Sequence, residues 1–306
     1  MHADPIAGIP ADTAAVLTGP ARRRLDGSPR AHAPSTGHAP STGRAPSDRR
    51  EADATSPVAR NQPDVADLDL IIPVLNEERR LPATLAMIGP HLRDRPWTTR
   101  LIVVDNGSVD ATAEVADRAA AAGLAVDVIG CRTPGKGAAV RAGVAHSRAG
   151  WVGYCDADLS TPVETIDEGV HQLQRGFDVV IASRRCTGAR FVVAQPVTRR
   201  VAGRLFRAAT APLTGPVADT QCGMKLFAGP AARELFARCE LSGFAFDVEV
   251  LARARQSSLR MIEVPIEWTH QDGSTLHVRR DGLRVAREIV AVHRNLRRSP
   301  TVAEVG

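Results

Sequence analysis

From Leu68 onward the chain alternates short apolar runs with segments of helical length, and this rhythm leaves few folds open. "LDLIIPV" (68–74), "RLIVVD" (100–105), "LAVDVIG" (124–130), "GWVGYCD" (150–156) and "FDVVIAS" (177–183) each read as a buried strand. Between them lie helical segments: one in "NEERRLPATLAMIGPHL", then Asp110 to Ala122, Lys136 to about Arg148, and Pro162 to Arg175. Strands alternating with helices of this length predict an α/β fold, with a mostly parallel sheet and helices on its faces. Helical segments dominate after position 197, with one more strand expected near "RMIEVPIEW" (260–268).

The chain has 306 residues, 43% of them hydrophobic, which suits one large domain or two small ones. Residues 1–66 include "APSTGHAPSTGRAPS" (33–47), too polar to build a core, and are expected to form a disordered tail. The ordered domain is expected over 67–298, followed by a short tail at 299–306. There are five cysteines and no C-x-x-C, which argues against a disulfide framework or a zinc site and for a reducing compartment. The N-terminus lacks the basic start and apolar core of a signal peptide, and no apolar run reaches the roughly 18 residues of a membrane span. The expectation is a cytoplasmic protein that touches a membrane without crossing it. The net charge of +5 comes almost entirely from arginine, since Lys136 and Lys225 are the only lysines. Aromatics are 4% and do not interleave with basic residues, so nucleic acid is not an expected partner.

In an open parallel sheet, ligands sit beyond the carboxyl ends of the strands. Four such ends carry suitable polar residues: "PVLNEE" with Pro73, Asn76 and Glu77; "VVDNGSVD" with Asp105 and Asp110; "RTPGKGAAV" with Lys136; and "DAD" with Asp156 and Asp158. Four at once point to one site. Local roles compete: Asn76 and Asp110 also suit helix N-caps, and Gly135 and Gly137 a simple turn. "TPVE" (161–164) has the form of a capping box, so Thr161 and Glu164 are expected to be structural. Asp67 and Asp69 also form a D-x-D, but at the start of a strand, the wrong end for a ligand. Asp156 and Asp158 lie at the right end. Carboxylates this close repel, and Mg²⁺ or Mn²⁺ held by them together with substrate phosphates would offset that repulsion.

"LIIPVLNEE", "VVDNGSVD", "GKGAAVRAG", "DADLSTP", "ASRR" and "DTQCGMKLF" occur in the order found in inverting family-2 glycosyltransferases. The chain most resembles the branch acting on dolichyl and polyprenyl phosphates, over about 68–297. The resemblance implies a GT-A fold, a nucleotide-sugar donor and a divalent metal. It implies that Pro73, Leu75 and Glu77 border the nucleotide, that Asp105 holds the uracil or ribose and that Asp156 contacts the nucleoside; Asn76, Lys136 and Ala157 are further candidates for binding the nucleotide sugar. Asp158 would bind the metal, with Asp156 beside it. Related mannosyltransferases place a third ligand, Gln, two residues past the second Asp; here that position is Ser160.

Asp247 and Glu249 in "FAFDVEV" are candidates for holding the acceptor or acting as base, or are plain helix-surface carboxylates. Transfer to a phosphate monoester needs no strong base, because its second pKa is about 6. It needs positive charge, for which Arg184, Arg199, Arg200 and Arg279 are candidates. Amphipathic helices are expected near 196–210 and 276–298, either packed on the core or lying in a membrane interface, apolar face down. The function expected is inverting transfer of a hexose from a UDP-sugar, with UDP-glucose favoured by the branch, to a polyprenyl or dolichyl phosphate at the cytoplasmic membrane face. A soluble or glycan acceptor, a non-catalytic nucleotide-sugar sensor and a membrane-protein partner stay open.

Overall fold

A computed structural model of the chain describes residues 15–17, 65–191, 197–268 and 278–298, all within one compact unit. Its strands are β1 (Ala15–Leu17), β2 (Leu68–Val74), β3 (Thr99–Asp105), β4 (Val126–Gly130), β5 (Trp151–Tyr154), β6 (Val179–Ser183), β7 (Arg190–Phe191), β8 (Lys225–Ala228), β9 (Met261–Pro265) and β10 (Glu267–Trp268). Its helices are α1 (Leu81–Arg93), α2 (Thr112–Ala121), α3 (Lys136–His146), α4 (Thr165–Gln174), α5 (Val197–Thr214), α6 (Gly229–Ala237), α7 (Phe246–Gln256) and α8 (Val278–Arg298).

The main sheet has the order β1-β9-β6-β8-β5-β2-β3-β4. β2, β3, β4 and β5 run parallel, and β6 is parallel to β9. β8 is antiparallel to both β5 and β6, so those two strands share a direction. The carboxyl ends of β2, β3, β4, β5, β6 and β9 therefore line one edge of the sheet. β8 begins at that same edge, with Lys225 in register with Tyr154.

Both faces of the sheet are covered. Leu70, Ile72, Val103, Val180 and Ile262 point into a core closed by α1, α2 and α4. Ile71, Ile102, Val152, Ile181 and Phe227 point into a second core closed by α3, α6 and α7. Two-sided burial explains why these strands read as unbroken apolar runs. Asp69 is buried at the amino end of β2, where Arg100 and Ser147 satisfy it, consistent with a structural role.

Several local expectations change. Ala15–Leu17, inside the expected tail, forms a strand paired antiparallel with Met261–Glu263. Residues 299–306 lie outside the described residues. Asn76 does not cap α1, which starts at Leu81 with Pro82 in its first turn. Proline lacks an N–H and is best tolerated in the first turn, where that N–H has no helical partner, so Pro82 suits this start, although Pro90 lies inside the same helix. The Thr161–Glu164 capping box does not form either, because α4 begins at Thr165 with no side-chain cap.

Candidate active site

At the common edge the loops are laced together by side chains acting on neighbouring backbones. Asn76 has a left-handed backbone (φ 57°). Its N–H donates to Ser108 Oγ at 2.9 Å, and its Oδ1 accepts from the Val109 N–H at 2.9 Å. The Glu77 N–H donates to Thr112 Oγ1, and the Glu78 N–H to Asp110 Oδ2. Asp110 also accepts from Thr112 N and Oγ1, which closes the turn into α2 and holds its carboxyl below the usual range. Burial raises Glu77 above the usual carboxylate range, against the pull of Arg80 at 2.7 Å. A cavity of about 240 Å³ opens here, lined by Asn76, Glu77, Arg80 and Asp110 among others. Leu75 is exposed, Pro73 is half-buried, and Asp105 accepts from the Ser108 N–H at 3.0 Å.

Asn106, which sequence reasoning passed over, ties the third loop in. Its Nδ2 donates to Cys131 O and Thr133 O, and its Oδ1 accepts from the Gly135 N–H at 2.7 Å. Its signal was the Asn-Gly step after a strand, since Gly107 has φ 90°.

Lys136 opens α3, where the helix dipole disfavours a cation. Its neighbours explain it. Its Nζ lies 2.5 Å from Asp156 Oδ1, and its side chain is about one-third exposed at 36%. Burial pulls the ammonium pKa down, but the charges of Asp156 first and Asp247 next outweigh this and raise it above the usual value. The helix start is held close by glycine. Gly135 has φ 117°, and a methyl group there would collide with Ser242 O. The Gly137 N–H donates to that same oxygen at 3.0 Å.

After β5, the chain turns tightly through Asp156, Ala157, Asp158 and Leu159 (φ 45°). Asp158 Oδ1 accepts from the Ser160 N–H at 3.0 Å, and the Ala157 carbonyl accepts from Thr84 Oγ1. Gly223, in the loop leading into β8, lies against Asp156: a Cβ there would sit 2.7 Å from Asp156 Cγ. Its missing side chain makes the cradle that the carboxylate fills. Among the described residues no group of three metal-ligating side chains occurs. Two carboxylates remain, which suits Mg²⁺ or Mn²⁺, ions commonly held by one or two carboxylates, water and substrate phosphate. The residues present fit such an ion.

Asp247 lies beneath this surface, 4% exposed. Its Oδ1 accepts from Lys225 Nζ at 2.5 Å and from the Tyr154 hydroxyl. Lys225 is itself fully buried and also donates to Cys222 O at 2.9 Å. Burial, then the Asp247 charge, pushes the Tyr154 phenol well above its usual value, so it stays protonated. Glu249 is buried too, accepting from Glu240 N, Leu241 N and Arg253. Neither carboxylate is a helix-surface group.

The expected phosphate-binding arginines diverge. Arg184 closes a two-toothed contact on buried Asp219, Nε at 2.7 Å and Nη2 at 2.9 Å, and covers the Trp268 ring. It therefore braces the loop after β6 instead of presenting an open fork. Arg200 is exposed in the first turn of α5; Arg199 and Arg279 lie in α5 and α8, but their side chains are outside the described residues.

Residues 69–236 match Glycosyl transferase family 2. The chain is 33% identical to a dolichyl-phosphate beta-glucosyltransferase of Drosophila melanogaster, over 72% of each chain. It is 32% identical to the Homo sapiens protein of that name, over 68% of this chain and 69% of the other. Among solved structures it is similar to glucosyl-3-phosphoglycerate synthase from Mycobacterium tuberculosis in complex with Mn²⁺, UDP and glucosyl-3-phosphoglycerate. That likeness has a TM-score of 0.55 at 19% identity, covers 74% and 78% of the two chains, and concerns the GT-A fold alone. With its sheet edge, its carboxylate pair and these matches taken together, the chain belongs to glycosyltransferase family 2.

Proposed function

We propose that this glycosyltransferase moves glucose from UDP-glucose to a polyprenyl phosphate, with inversion, at the cytoplasmic face of a membrane. The observation that carries the reading is the Asp156–Lys136 contact at the sheet's carboxyl edge, with Asp158 two residues on, in a chain whose relatives are named dolichyl-phosphate beta-glucosyltransferases. Pro73, Leu75, Asn76, Glu77 and Asp105 border the nucleoside. Asp156 and Asp158 would hold Mg²⁺ or Mn²⁺, which when bound neutralises the diphosphate and stabilises the leaving UDP. Lys136 supplies a compact cation to a diphosphate oxygen.

The acceptor is a phosphate dianion over most of the neutral range, so its oxygen attacks the anomeric carbon without giving up a proton. That agrees with Asp247, whose ties to Lys225 and Tyr154 suit holding the site together better than accepting a proton. Arg199, Arg200 and Arg279 are the proposed seat for the acceptor phosphate.

Among the described residues no helix is long and apolar enough to cross a membrane. Peripheral contact is supported by α5, where Val201 (48%) and Leu205 (68%) stand exposed among exposed Arg200 and Arg204. Such a face suits an anionic lipid interface. On α8 the two expectations divide: Val292 and Leu296 pack against α7, whereas Val290 is exposed.

The test is incubation of the protein with a panel of labelled nucleotide sugars, Mg²⁺ or Mn²⁺, and polyprenyl phosphate in vesicles, read by mass spectrometry of the lipid extract. Glucosyl polyprenyl phosphate from UDP-glucose is expected, lost with EDTA and in Asp158→Asn. Transfer only to water-soluble acceptors would refute the lipid assignment, and full activity of Asp158→Asn in chelator would refute the metal.

A further inference from the structure

Only two of the chain's 39 basic residues are lysines, and both lie in one network at this site. Everywhere else the chain uses arginine. A lysine ammonium differs from a guanidinium in being a compact point charge with three rotatable donors, closer in size and hydration to a small metal ion. The order of charges is regular: Lys225 touches Asp247, and Lys136 touches Asp156, with the Asp247 and Asp158 charges also acting on Lys136. Lys136 thus sits among three carboxylates, while Lys225 compensates the deepest of them.

We propose that Lys136 is an internal stand-in for the divalent cation: before substrate arrives it neutralises Asp156, and it must release Asp156 to the incoming metal–diphosphate. This rests on the metal reading of Asp156 and Asp158. The 2.5 Å contact uses Asp156 Oδ1, and Gly223 backs the other oxygen, so the carboxylate has little room to serve an ion and the ammonium together. Lys136 has somewhere to go. It is about one-third exposed, its flexible stem starts at the first residue of α3, and a diphosphate oxygen offers it a replacement anion. Asp247 is fixed by Lys225 and Tyr154 and stays as counter-charge below. Metal and diphosphate then assist one another, because the diphosphate draws the lysine off the metal's ligand. By linkage the assistance is reciprocal.

The test uses the full-length chain and binding alone. Mn²⁺ uptake is followed by the electron paramagnetic resonance of free Mn²⁺, with and without saturating UDP, and UDP binding by calorimetry with and without Mn²⁺. In the wild type, UDP should tighten Mn²⁺ binding by about tenfold or more, within the usual range for coupled sites. In Lys136→Met, Mn²⁺ alone should bind more tightly than to wild type, UDP alone more weakly, and the coupling should shrink. Lys136→Gln, which keeps a polar group at the helix start, should behave likewise if the Met variant fails to fold. Mn²⁺ affinity unchanged or weaker in a folded Lys136 variant would overturn the stand-in role while leaving the metal site intact. Absence of Mn²⁺ binding to wild type even with UDP would overturn the metal reading, and the inference with it.

Discussion

Gly223→Ala adds one methyl group at the point where the loop into β8 meets Asp156. That methyl would stand 2.7 Å from Asp156 Cγ and closer still to Oδ2. Carbon atoms in good contact lie about 3.5–4.0 Å apart, so one of the two groups must retreat by roughly 1 Å. The loop cannot easily move. Two residues on, Lys225 is buried, bonded to Asp247 and in strand register with Tyr154. Asp156 is the half-exposed partner and should be the one displaced. A misplacement of about 1 Å at a reacting site lowers rate by about a hundredfold, or about 2.7 kcal/mol of transition-state stabilisation. The fold should survive, because the displaced carboxylate can turn toward solvent. The assay is UDP release during transfer, beside Mn²⁺-dependent UDP binding and a thermal melt. The expected result is a roughly hundredfold fall in kcat/KM with weakened metal-dependent UDP binding and a nearly unchanged Tm. A folded variant with wild-type kcat/KM would refute the claim that Gly223 sets the position of Asp156.

The buried pair behind the site should matter chiefly for stability: Lys225→Met leaves Asp247 charged, buried and without its cation, so about 3–5 kcal/mol should be lost in a denaturant titration. A change under 1 kcal/mol would mean that the pair is not formed in solution. The Arg184–Asp219 pair makes a pH prediction. Burial raises Asp219, but its bonds to Arg184 outweigh this and depress its pKa below the usual value. A depressed folded pKa contributes stability that is complete above the unfolded value of about 3.9 and is lost as pH falls through the lower folded value. Asp219→Asn should therefore melt below the wild type by a constant margin from neutral pH to about pH 5, and the margin should shrink below about pH 4. A margin that already narrows between pH 7 and 5 would contradict this, and melting curves across pH decide it.

Much of the fold was legible because its strands are buried on both faces. Val103 and Val104 enter different cores, as do Ile71 and Ile72, so each strand shows as an uninterrupted apolar run with helices between. What escaped notice lacked that local signal. β8 begins with a lysine, and its two partners, β5 and β6, come from earlier in the chain, so nothing near it in sequence marks a strand. β1 is three residues at a sheet edge, too short to show a pattern. Asn76 resembles a cap because it precedes a helical stretch, yet α1 starts only at Leu81 with Pro82 in its first turn, and Asn76 pins the next loop instead.

The site was legible at its rim and not at its floor, for a physical reason. Asp156, Asp158 and Lys136 follow strands at the edge where ligands bind, and chain direction alone brings them together. Asp247 arrives from a helix nearly a hundred residues later, and its sequence context leaves acceptor holder, base and plain helix-surface carboxylate equally open. Only tertiary packing reveals that Tyr154 and Lys225 close on it from β5 and β8. Those strands are neighbours only because β8 inserts antiparallel between β5 and β6. The inserted strand thus does two things at one edge. Its first residue, Lys225, neutralises Asp247 inside the core, and its leading loop places Gly223 against Asp156 outside it. A displacement of β8 would loosen both at once, and this links the buried charge pair to the geometry of the carboxylates above it.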